Sequence, residues 1–339
     1  MKTNILFITE SGPKIGYGHL YRSIALAKEF LKRGCKVEFV IDDEKGRKIL
    51  LDHLLNVDVR ELSFVVKDIS SFKFVFLDVF QSSWIKYKEL VESNVSQTQF
   101  VSIIDNAFLD YALETDYIFQ IGFQSYNSKE TIKNKSKDKS VKIYTGNDFF
   151  IFRDEFSNTK SFKVKKQANR VLVTMGGSDP FMLTEMVSDS LEMISFPLTI
   201  HYILGAGFDN LRIKTLKSKH FNTIHQIEYH KNINNIARIM VENDIAIING
   251  GNTRFELTLL GVPFVSISFN EIQNSIANKL QLTGVGENLG IYFNITPSQI
   301  ANSTKNILNN FVYRKAISKK LKERINNNGA NKIYRLLDN

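Results

Sequence analysis

Only one cysteine, Cys35, occurs in the 339 residues. No intrachain disulfide can form, and a reducing compartment is expected. Cys35 falls at the mouth of an expected strand, where a small apolar residue fits. Five prolines and 18 glycines exclude a fibrous or long flexible region. No apolar run is long enough to span a bilayer. The first residues carry one lysine, a short apolar strand and then Glu10, which is not a secretory pattern. A cytoplasmic protein is expected. Short-period repeats and low-complexity tracts are missing too. The signatures H-E-x-x-H, C-x-x-C, G-x-x-x-x-G-K-S/T and D-x-D are absent, so neither a catalytic metal nor a cofactor is expected. The dinucleotide fingerprint G-x-G-x-x-G fails as well, because Gly16-Tyr17-Gly18-His19-Leu20 continues to Tyr21.

What the chain has in excess is positive charge, a net +9. It is concentrated in residues 133–142, 160–166 and 314–335. A nucleic-acid site needs a basic face with interleaved aromatics or a known module, and neither is present. The blocks read as solvated loops and a solvated helix face. The furthest they extend is peripheral attraction to anionic lipid, worth about 1 kcal/mol per basic residue near the surface. A monomer is expected.

The length suits two domains. Apolar runs alternate with helical patterns at residues 4–9, 36–41, 74–77 and 100–104. The alternation restarts at 170–174, 199–204, 223–227, 244–248 and 263–267. Short apolar strands between helices mean parallel sheets covered on both faces. The expected fold is α/β: two Rossmann-like domains of GT-B type, residues 1–157 and 170–312, with a cleft between them. Residues 125–140 read as an exposed loop and 157–169 as a linker. A last helix over 313–337 is expected to pack back on the first domain.

Open parallel sheets bind ligands past the carboxyl ends of their strands. The stretch Ile15-Gly16-Tyr17-Gly18-His19-Leu20-Tyr21-Arg22 lies there. Gly16 and Gly18 allow close approach of the backbone. His19 opens a helix, with Arg22 one turn later on the same face. An imidazole near neutrality can take a proton from water. Asp78 and Asp105 fall at two further strand ends. In the second half, Gly176-Gly177-Ser178 follows a strand directly, as an anion nest would. Gly250-Gly251-Asn252-Thr253-Arg254-Phe255-Glu256 turns a strand into a helix whose start favours phosphate. Glu256 has two readings: it closes a capping box with Thr253, or it accepts from a ribose diol. Gln273 and Asn274 follow the next strand. They either hold a sugar or a diphosphate, or simply open a polar helix.

Taken in series, these motifs resemble the UDP-sugar hydrolases of pseudaminic acid biosynthesis (PseG/SpsG type). The resemblance rests on Gly16 to Arg22, Asp78, Asp105, Arg153-Asp154-Glu155-Phe156, Met175 to Pro180, Gly250 to Glu256 and Gln273, and it covers nearly the whole chain. That family is similar in turn to MurG-like glycosyltransferases. The resemblance implies metal-independent attack of water on UDP-2,4-diacetamido-2,4,6-trideoxy-β-L-altropyranose, with inversion. His19 would be the base, with Gly18, Arg22 and Asp78 beside it. Gly16, Asp105 and Arg153 would contact substrate. Gly176, Gly177, Ser178, Gly251, Asn252 and Thr253 would hold the diphosphate, Glu256 the ribose, and Gln273 and Asn274 the sugar or diphosphate. The sequence departs from the family at Phe80, where a tyrosine is usual, and at Asn106 in place of a second aspartate. These departures favour a second reading, a glycosyltransferase using a UDP-sugar donor. A third is a nucleotide-sugar binder without catalysis.

Overall fold

The computed structural model describes residues 3–338 except 13–15, 63–68, 93–96, 105–109, 123–127, 134–139, 178, 206, 232 and 234. The chain divides into two units. Unit 1 is Met1–Asp154 with Asn327–Asn339, and unit 2 is Glu155–Asn326.

Unit 1 is built on a sheet of β1 (Asn4–Thr9), β2 (Lys36–Val40), β3 (Asp58–Arg60), β4 (Phe74–Asp78), β5 (Gln99–Ile104), β6 (Tyr117–Ile121), β7 (Ser128–Lys133) and β8 (Ser140–Gly146). The strand order is β3-β2-β1-β4-β5-β6-β8-β7. All neighbours pair in parallel except β7 with β8. The central strands are apolar on both faces because helices cover both. Phe7 of β1 stacks on Phe76 of β4 at 4.6 Å and on Phe39 of β2 at 5.2 Å. The order reverses between β1 and β4, which start their crossovers in opposite directions. Thr9 lies beside Asp78 in the register there. Helices α1 (Gly18–Leu31), α2 (Glu44–His53) and α3 (Ile85–Glu92) link the strands. A short turn of helix, α4 (Asp154–Ser157), carries the chain into unit 2.

Unit 2 repeats the plan. Strands β9 (Arg170–Thr174), β10 (Thr199–Leu204), β11 (Gln226–Lys231), β12 (Ile245–Asn249), β13 (Phe264–Ser268) and β14 (Glu287–Ile291) lie in the order β11-β10-β9-β12-β13-β14, all parallel. This is the doubly wound 3-2-1-4-5-6 order, with its switch between β9 and β12. Between the strands run α5 (Leu183–Leu191), α6 (Asn210–Lys219), α7 (Ile236–Glu242), α8 (Thr253–Leu260) and α9 (Glu271–Leu282). Helices α10 (Pro297–Asn309) and α11 (Phe311–Lys322) follow. Burial of Val171, Val173, Ile200, Tyr202, Ile245 and Ile247 forms the centre of the core.

Four expectations are corrected. The loop expected at 125–140 contains β7, whose ladder with β8 overrides its polar composition. The linker expected at 157–169 belongs to unit 2: Phe162 is buried, and the Lys165 and Lys166 carbonyls accept from the buried Arg314. The strand expected at 223–227 runs over Gln226–Lys231 instead. The single last helix is two, because Asn326-Asn327-Asn328-Gly329 interrupts it. The second of these, α12 (Gly329–Asp338), packs on α1 within unit 1. Tyr334 meets Phe30 edge-on at 5.2 Å, and Arg33 lies 4.2 Å over the Tyr334 ring.

Candidate functional site

In unit 1 the site forms at the β1/β4 switch point. Gly12 and Gly16 exchange backbone hydrogen bonds of 2.8 and 3.0 Å, and Gly16 has φ +85°, which a side chain would strain. Gly18 is the first residue of α1, and among the described residues no side chain caps the helix. His19 follows and points at β4. Its Nδ1 lies 2.6 Å from Oδ1 of Asp78. Arg22 Nε donates to Asp78 Oδ2 at 2.8 Å, and its Nη2 donates to Oδ1. Ser23 Oγ adds a bond of 3.3 Å to Oδ2. Asp78 is only 1% exposed and Arg22 6%. Burial alone would raise the Asp78 pKa, and it is the largest single influence. The charges and hydrogen bonds of Arg22 and His19 together outweigh it and hold the carboxyl well below its ordinary range.

In the tautomer that donates Nδ1–H to Asp78, the Nε2 lone pair of His19 is left free, which is the arrangement a general base needs. Among the described residues no hydrogen bond to Nε2 is formed. Phe80 lies against the His19 ring at 4.3 Å, and Glu10 holds the Phe80 backbone N–H at 3.0 Å. Arg153 lies 5.3 Å over the ring of Tyr21 on the same helix. Arg22, on the same helix face as His19, is spent on Asp78. It positions the dyad.

In unit 2 the two glycine loops meet at the β9/β12 switch point. Gly176 has φ +81°, and a Cβ there would fall 2.8 Å from Asn249 Nδ2. Asn249, the last residue of β12, is 7% exposed. Its Nδ2 donates to the Met175 carbonyl at 2.9 Å, and its Oδ1 accepts from Gly251 N at 3.1 Å. The Gly177 carbonyl accepts from Gly207 N at 2.8 Å, and a Cβ at Gly205 would collide with it. Asp179 and Met182, both at positive φ, complete the loop. Asp179 fixes it by accepting from the N–H groups of Leu183 and Thr184 and from Arg212, which also grips Glu185.

Helix α8 begins at Thr253 after Asn252, with no side-chain cap. Thr253 is therefore the first helical residue, and the capping box that was one of the two readings of Glu256 does not form. Glu256 is half-buried in the first turn. Gln273 is partly committed. Its Oε1 accepts from Phe269 N at 2.9 Å, and a Cβ at Gly250 would strike its side chain. Asn274 is turned elsewhere: its Oδ1 accepts from Asn288 of β14 at 2.8 Å, and its Nδ2 faces Glu271 at 3.5 Å. That amide pairing ties α9 to β14. Asp105 and Ser178 lie outside the described residues. Among the described residues no helix is long and apolar enough to cross a membrane.

Known proteins resemble this chain in both halves. Residues 171–333 match the glycosyltransferase family 28 C-terminal domain. An uncharacterized protein of Methanocaldococcus jannaschii is 26% identical over 79% of the chain, which spans only 56% of that protein's length. The spore coat polysaccharide biosynthesis protein SpsG of Bacillus subtilis is 20% identical over 97% of the chain and 96% of its own. The UDP-2,4-diacetamido-2,4,6-trideoxy-beta-L-altropyranose hydrolase of Campylobacter jejuni is 24% identical over 83% of the chain and 97% of its own. The crystal structure of MurG from Acinetobacter baumannii superposes with a TM-score of 0.68 at 14% identity, covering 100% of this chain and 99% of that one. The chain therefore has the MurG-like GT-B fold and counts both SpsG and the hydrolase among its relatives.

Proposed function

We propose that the protein is a UDP-sugar hydrolase of nonulosonic acid biosynthesis, in which unit 1 supplies the base and unit 2 holds the nucleotide. The observation that carries this reading is the His19–Asp78 pair, closed at 2.6 Å and backed by the buried Arg22. Asp78 holds the His19 Nδ1 proton. Nε2 then takes a proton from water as the water oxygen bonds to the anomeric carbon. The bond from that carbon to the diphosphate oxygen breaks, and UDP leaves with its electron pair. The imidazolium formed is stabilised by Asp78. No metal is required in this scheme: the start of α8 and the Gly176 loop are assigned to the diphosphate of UDP. Glu256, Gln273 and Arg153 are assigned to the substrate. The motif series and the resemblance to the Campylobacter jejuni hydrolase support this reading.

One observation favours a glycosyltransferase instead. Phe80 lies against the His19 ring at the position where the resembled family usually has a tyrosine. The family 28 match agrees with that second reading. Incubation with UDP-2,4-diacetamido-2,4,6-trideoxyhexoses separates the two. UDP released with free sugar in the absence of any acceptor is the expected result. Release only when a sugar or lipid acceptor is added overturns the hydrolase in favour of the transferase.

A further inference from the structure

His201, Glu228 and His230 meet on one face of the unit 2 sheet, outside both glycine loops. Strands β10 and β11 pair in parallel with His201 beside Glu228 and Ile203 beside His230. The period of two then sends all three side chains to the same side. Nδ1 of His201 is 3.0 Å from Nε2 of His230 and 3.6 Å from Oε2 of Glu228. The last two atoms are 3.8 Å apart. The imidazole planes lie within 3° of parallel. His201 is 3% exposed, whereas His230 and Glu228 are open to solvent at 24% and 43%, so an ion has a path in.

We propose that these three side chains bind a divalent transition metal, zinc by preference, which clamps the edge strand β11 to β10 and keeps a fourth position for water. Two imidazoles and a carboxylate are a zinc donor set. Tetrahedral zinc with bonds of about 2.0–2.1 Å holds its ligands roughly 3.4 Å apart. The three separations bracket that value, so shifts of a few tenths of an ångström close the site. Burial, opposed by Glu228, keeps the His201 pKa below its ordinary value, and the neutral ring is the form that coordinates. One group opposes binding. Arg170 Nη2 lies 2.7 Å from Nε2 of His201. Metal at Nδ1 puts the ring proton on Nε2, so two donors would face each other and Arg170 must release the ring. Its Nε keeps a bond of 2.9 Å to the Glu242 carbonyl. Arg170 therefore sets the affinity from outside the coordination sphere.

The test uses the full chain, stripped with chelator and titrated with zinc chloride against a chromophoric zinc indicator. One zinc per chain is expected. His230→Ala and Glu228→Gln should weaken binding by more than about 100-fold, beyond the loss seen when only supporting groups are removed. Arg170→Met should tighten it. Cobalt should give the intense visible bands of a tetrahedral site, and magnesium should not compete. Both ligand positions are partly exposed, and thermal unfolding of the metal-free variants checks that they fold. No stoichiometric uptake by the wild type, or uptake unchanged in His230→Ala, overturns the proposal.

Discussion

Asn249 donates to the carbonyl of Met175 across 2.9 Å and so ties the end of β12 to the loop that leaves β9. The same side chain accepts from Gly251 N, so one amide sets the spacing of both glycine turns. Asn249→Ala removes both bonds from a buried site, each worth about 1–3 kcal/mol when its partner is left unsatisfied. UDP affinity, measured by calorimetry, should fall by roughly 10- to 100-fold. Unchanged affinity would separate Asn249 from nucleotide binding.

Asp78→Asn keeps the shape of the dyad and removes its charge. The His19 tautomer is then no longer enforced, and kcat should fall by about 10³–10⁴. His19→Asn should abolish turnover. UDP binding, assigned to unit 2, should stay within about twofold in both variants by calorimetry. Turnover retained in His19→Asn would remove the imidazole from the chemistry.

Arg22→Met strands an ionised carboxylate in the interior of unit 1. Breaking such a buried pair costs about 3–5 kcal/mol. The native pair also has an acid signature. The Asp78 pKa is depressed in the fold, so its stabilisation is complete above the unfolded value of about 3.9 and is lost as pH falls through 3.9 toward the folded value. Urea unfolding followed from pH 6 to 3 should show this loss in the wild type and not in Asp78→Asn.

Unit 2 should lose stability at a higher pH. Burial lowers the pKa of both His201 and His220, against the pull of Glu228 and Glu192 respectively. The unfolded chain therefore binds these protons first. Their contribution is present above about 6.5 and fades as pH falls through it toward the folded values. His220 is held by Ser188 Oγ at 2.7 Å and by the Tyr229 hydroxyl. His220→Gln should flatten the stability profile of the metal-free protein between pH 7.5 and 5.

Arg314 is wholly buried and donates from Nη1 to the Ile307 and Leu308 carbonyls at the end of α10. Its Nη2 donates to the Lys165 and Lys166 carbonyls at 3.0 and 3.1 Å. Arg314→Met leaves those acceptors without a donor. Unfolding by denaturant should show a loss of about 3 kcal/mol or more.

Much of this was legible because central parallel strands are apolar throughout. Ile5 to Ile8, Phe74 to Leu77 and Ile245 to Ile248 are buried and read as strands at once. Edge strands are not. β14 (Glu-Asn-Leu-Gly-Ile) is half-buried and polar, and it was not expected at all. β11 was placed three residues early, which hid Glu228 and His230 as strand neighbours of His201. Helix α6 buries only Leu216 and shows almost no apolar face. At the site, His19, Asp78 and the glycine turns announce themselves by type and place. Their pairing does not, since His19 and Asp78 stand 59 residues apart. Asn249 was not singled out, because nothing local shows that an amide bridges two loops.

Unit 1 is assembled from two stretches of chain, with all of unit 2 spelled out between them. Helix α12 fills the space against α1, with Gly329 set against the Phe150 carbonyl where a Cβ would clash. During synthesis, the half that carries His19 and Asp78 must wait, unfinished, until its closing helix leaves the ribosome. By then the other half has every residue it needs to fold.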